Sequence, residues 1–87
     1  MHAIILAKLR GKITKELTDR VNKVMTDQPM DVKIHSIYYT LGRYDVVFIT
    51  EAPDEKAAMA VLLQFGDDVA TETLIAVPRE EALKLLK

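Results

Sequence analysis

The side chains able to do chemistry are few. His35, Tyr38 and Tyr39 share one short stretch, Tyr44 and Asp45 follow a Gly42-Arg43 dipeptide, and Glu72 stands apart among small and apolar residues. An imidazole titrates near neutrality, so His35 could act as a general base or proton shuttle. It has no acid beside it in the sequence, and a packed or interface histidine is the more economical reading. Glu72 could serve as an acid or base in a pocket, but a buried carboxylate needs a partner. A lysine or arginine supplied by a second copy of the chain would meet that need. The phenols of Tyr38, Tyr39 and Tyr44 and the Asp45 carboxylate could together hydrogen-bond a polar ligand. The simpler alternative has Tyr44 covering the rim of the core and Asp45 accepting turn amides.

Other chemistries lack their residues. The chain has 87 residues and no cysteine, which removes disulfides, thiolate metal sites and cysteine nucleophiles and suits a reducing, cytoplasmic setting. His2 and His35 lack metal-ligand spacing, and Asp67-Asp68 reads as a solvated turn, so neither a metal nor any other cofactor is expected. No phosphate loop, dinucleotide fingerprint or nucleophile elbow occurs. A net charge of -1 provides no overall positive field for nucleic acid, and Lys8, Arg10, Lys12 and Lys15 read as a solvated local cluster. The apolar run over residues 3–7 is far too short to span a membrane.

The positioning elements follow from periodicity. Residues 2–9 read as a strand, apolar at every position from Ala3 to Ala7. Apolar residues at 13, 17, 21, 24 and 25 trace an amphipathic helix that Pro29 should end near Gln28. Residues 32–41 and 44–51 read as a hairpin about Gly42-Arg43. If Thr40 pairs with Asp45, Ile37 faces Phe48 and Tyr39 faces Val46 on one side, with His35 on that side too, while Tyr38 meets Val47 on the other. A second helix opens at Pro53-Asp54, carries Ala58, Val61, Leu62 and Phe65 on one stripe, and closes at Gly66. A last strand over 69–77 places Glu72 beside Leu74 and Ala76, and Pro78 opens a short final helix.

The order β-α-β-β-α-β predicts a single α+β domain over 1–87, a ferredoxin-like antiparallel sheet with both helices on one face. The uncovered face should then alternate with polar residues, yet residues 3–7 and 46–49 are continuously apolar. Such a surface calls for a cover, most economically a second copy related by a two-fold axis. The chain is therefore expected to form a homodimer or larger homo-oligomer through the open face. Leu83, Leu85 and Leu86 give the final helix more apolar surface than so short an element buries alone, unless its last turns fold back onto the domain.

Gly42-Arg43-Tyr44-Asp45 resembles the motif that names the GYD-domain family. Tyr38-x-Thr40-x-Gly42, Glu51-Ala52-Pro53-Asp54 and Thr71-Glu72-Thr73-Leu74 resemble further family pieces in order, covering residues 38–81. Leu9-Arg10-Gly11 and the connection 66–69 depart from the family pattern. The resemblance implies a dimeric α+β barrel of ferredoxin-like subunits and little defined chemistry. A more distant likeness is to the ligand-sensing domains of leucine-responsive regulators, which bind amino acids between subunits; here no DNA-binding helix-turn-helix precedes the domain, so a sensor would report to a separate partner. The resulting expectation is a non-enzymatic module binding a small molecule or a protein in a dimer cleft. The alternatives are a cofactor-free enzyme, monooxygenase- or isomerase-like, using Tyr38, Tyr39, His35 and Glu72, and a purely structural assembly unit.

Overall fold

A computed structural model describes residues 1–27, 31–65 and 69–86. The elements run β1 (His2–Leu9), α1 (Lys15–Thr26), β2 (Lys33–Tyr39), β3 (Val46–Glu51), α2 (Glu55–Leu62), β4 (Val69–Ala76) and α3 (Arg79–Leu83). The four strands form one antiparallel sheet in the order β2-β3-β1-β4. α1 starts at Lys15, later than the apolar pattern suggests, because the Thr14 hydroxyl caps it by accepting from the Leu17 N–H. This leaves Ile13 outside the helix and exposed. Asp54 caps α2 in the same way, accepting from the Ala57 N–H at 2.9 Å. The expected stops at Gln28-Pro29 and Gly66, and the Asp67-Asp68 turn, lie outside the described residues.

The two faces of the sheet differ sharply. Ala3, Ile5 and Ala7 of β1 and Val46, Phe48 and Thr50 of β3 are buried with Leu17, Val21 and Val24 of α1 and Ala57, Ala58 and Val61 of α2. Phe48 stacks at a tilt on Phe65, ring centroids 5.6 Å apart. Among the described residues Thr50 is the one polar side chain in this core, and it donates its hydroxyl to the Ala3 carbonyl, which removes the cost of burying it. Cross-strand pairing then fixes the other face in rows. Tyr38, Val47, Leu6 and Glu72 form one row, and Ser36, Ile49, Ile4 and Leu74 form the next. Lys33, Glu51, His2 and Ala76 complete the set at one end.

The hairpin register agrees with the turn chemistry, since the Thr40 N–H donates to the Asp45 carbonyl at 2.8 Å and Tyr38 faces Val47. His35 departs from expectation. A bulge between Ile34 and Ser36 gives β2 one extra residue, so His35 leaves the Ile37 side and joins Glu51 on the open face. Tyr44 and Asp45 also precede β3 instead of opening it. The Thr40 hydroxyl occupies the Tyr44 carbonyl at 2.6 Å, which turns that group out of the ladder.

Candidate functional site

Gly42-Arg43-Tyr44-Asp45 ties three strands together at one end of the sheet. Gly42 has φ +123°, a conformation that side-chain-bearing residues rarely adopt, and this lets the loop fold back across the end of β1. The Asp45 carboxylate accepts the Leu9 N–H at 2.8 Å, and the Asp45 N–H donates to the Ala7 carbonyl at 2.9 Å. The Lys8 ammonium donates to the Arg43 carbonyl at 3.2 Å. Asp45 thus accepts an amide, as expected of an Asx residue, but the amide belongs to a strand 36 residues away and not to its own turn.

Tyr44 does not cover the core rim. Its hydroxyl donates to the Glu72 carboxylate on β4, and the Arg43 guanidinium lies 5.9 Å from its ring centroid. The hydrogen bond to Glu72 raises the Tyr44 pKa; partial burial and the Glu72 charge add to this, and Arg43 opposes it. Glu72 therefore has a phenol as its partner within the chain. At the other end of the open face, His35 Nε2 lies 3.1 Å from Glu51 Oε2. That hydrogen bond is the main cause of a lowered Glu51 pKa, opposed by partial burial and reinforced by the positive potential of His2, His35 and Lys33.

The candidate residues accordingly divide into four places. Tyr38, Tyr44 and Glu72 share the end of the open face nearest the Gly42 loop, His35 lies at the far end, and Asp45 is spent on Leu9. Tyr39 is separated from all of them by the sheet. It borders an apolar crevice with Ile13, Leu17, Val46 and Phe48 whose free space is about 10 Å³, roughly one water at most. The pairing of Glu51 with His35 was not foreseen from the sequence, because the bulge that creates it carries no local sequence signal. Among the described residues no three His, Cys, Asp or Glu side chains are grouped to hold a metal ion. No helix among them is long and apolar enough to cross a membrane.

Four antiparallel strands with two connecting helices on one side, and a Gly-x-Tyr-Asp loop locking the sheet end, define a ferredoxin-like α+β domain. The GYD domain matches residues 8–86, and the chain belongs to that family. Among solved structures it is similar to AsnC of E. coli, with TM-score 0.63 and 23% identity over 90% of this chain. It spans 51% of that protein, about half its length. TTHA0845 from Thermus thermophilus overlaps almost end to end, at TM-score 0.59, 25% identity, 90% of this chain and 98% of that one. An AsnC family transcriptional regulator from Agrobacterium tumefaciens matches at TM-score 0.53 and 17% identity, over 88% of this chain and 52% of its own. No curated protein matches the sequence.

Proposed function

We propose that the protein is a homodimeric binding module that packs two open sheet faces together and holds a small molecule between them, near Tyr38, Tyr44 and Glu72. The surface of the isolated chain carries this reading. A folded monomer of 9.8 kDa exposes about 5,200 Å², whereas this chain exposes 6350 Å². Its radius of gyration is 13.8 Å against about 12 Å for a compact chain of this length. The centre of the open face, Ile4, Leu6, Val47, Ile49 and Leu74, is apolar, and its ends are charged or hydrogen-bonding, the composition expected of a protein interface.

Glu72 and Tyr44 border that apolar centre. Covering the face would remove water from around them and strengthen their hydrogen bonding to a polar ligand. A cytoplasmic location fits the absence of cysteine.

The Tyr44–Glu72 hydrogen bond also favours a second reading, in which the pair moves a proton to or from a bound substrate without a cofactor. Native mass spectrometry of the freshly purified protein tests both. The binding reading expects a dimer carrying a stoichiometric extra mass that Glu72→Gln weakens or removes. A mass that changes on incubation with the wild type but not with Glu72→Gln would favour catalysis, and a monomer would overturn both.

A further inference from the structure

We infer that His2, His35 and Glu51 form a site for a divalent transition-metal ion at the end of the open face away from the Gly42 loop. The two histidines are the only ones in the chain, and their wide separation in sequence carries no ligand signature. The sheet nevertheless sets them on either side of one carboxylate. β3 lies between β2 and β1, Glu51 is the cross-strand partner of His2, and the bulge in β2 turns His35 onto the same face. Without that extra residue, strand alternation would send His35 to the helix side.

The spacing of the donors suits an ion. Imidazole nitrogen and carboxylate oxygen bind Zn²⁺ at about 2.0–2.2 Å, so two donors on one ion lie about 3.0 Å apart at an octahedral angle and about 3.4 Å at a tetrahedral one. His35 Nε2 and Glu51 Oε2 are 3.1 Å apart, so binding asks for reorientation of the side chains and not for a shift of the strands. As the side chains stand, the three donors do not close on one point. His2 completes the set by turning its ring, because directly opposed residues on one face have Cβ atoms about 4.5–5.5 Å apart. The His35 and Glu51 side chains are 46% and 43% exposed, which lets an ion reach them and leaves water its remaining positions. Two imidazoles and one carboxylate favour Zn²⁺ and its late first-row neighbours over Mg²⁺ or Ca²⁺, which prefer oxygen ligands throughout. Lys33, the β2 partner of Glu51, repels a cation, yet among the described residues Glu51 pairs with His35 and not with Lys33. All three ligands belong to one chain, so the site does not depend on the dimer reading.

The test is titration of the full chain with zinc chloride at pH 7.5, read by calorimetry and by the proton resonances of the two imidazoles, which His35→Ala assigns. The expected result is that both imidazoles respond together and saturate at one ion per chain. Kd should rise at least roughly tenfold in His35→Ala and in Glu51→Gln, and it should fall in Lys33→Met, which removes the repelling charge. The exposure of these side chains leaves the core intact in every variant. A response from His2 alone, with Kd unchanged in His35→Ala and Glu51→Gln, overturns the inference, because the ion would then be held by His2 and the amino terminus. Failure to saturate below roughly 1 mM zinc overturns it as well, as the mark of adventitious surface binding.

Discussion

Val47 and Phe48 are consecutive residues of β3 that face opposite ways, so a charge at each should fail in a different manner. Val47 lies between Tyr38 and Leu6 at the centre of the open face, whereas Phe48 is 2% exposed under the helices and packs on Phe65. In Val47→Asp the new carboxylate stays solvated in the monomer but is buried without a partner in the dimer. Leaving a buried charge uncompensated costs about 3–5 kcal/mol, and a two-fold dimer buries one from each protomer, so the dimer Kd should rise by at least about two orders of magnitude. In Phe48→Asp the loss falls on folding. Truncating a buried phenylalanine costs about 3–5 kcal/mol even without a charge, a large share of the roughly 5–15 kcal/mol that holds a domain together. Sedimentation velocity and circular dichroism separate the outcomes: Val47→Asp should be a folded monomer and Phe48→Asp an unfolded chain. A Val47→Asp dimer as tight as the wild type would refute the assignment of the open face as the interface.

Other consequences can be checked one by one. Asp45→Ala removes a carboxylate that accepts the Leu9 N–H, a hydrogen bond to a charged group worth about 1.5–3 kcal/mol, so Tm should fall, with a smaller loss for Asp45→Asn. Gly42→Ala should cost about 1–3 kcal/mol from its φ of +123° alone, because an added Cβ meets no atom within 4 Å; Gly11→Ala, equally open and without that φ, should be neutral or slightly stabilising in a denaturant melt. The Tyr44 hydroxyl should titrate later than a free tyrosine, so its contribution to stability is complete below pH 10 and is lost as pH rises through the raised folded value. Ultraviolet titration of phenolate should show this late step disappear in Glu72→Gln. The Glu51 contribution runs the other way: it is present above the ordinary carboxylate pKa and lost as pH falls through the lowered folded value, and His35→Ala should flatten that acid limb in thermal melts.

The fold was legible because its signals are local. Thr40, Gly42 and Asp45 set the hairpin, and the hairpin sets which side Tyr38 and Phe48 take. The site was less legible for two reasons. One inserted residue in β2 reverses the parity of His35, and alternation cannot reveal an insertion that has no composition of its own. The Tyr44–Glu72 and Asp45–Leu9 hydrogen bonds join residues 28 and 36 positions apart, so they depend on β1 lying between β3 and β4. The local alternatives, a rim tyrosine and an Asx turn, need no such knowledge, and for that reason they were the natural expectation.

Packing of two open faces against each other is tested most directly by an isotope-filtered nuclear Overhauser experiment on a mixture of carbon-13-labelled and unlabelled chains. Contacts between chains are expected among the methyl groups of Ile4, Leu6, Val47, Ile49 and Leu74. Contacts confined to Met59 and Leu63, which lie exposed at α2, or none at all, would contradict the account.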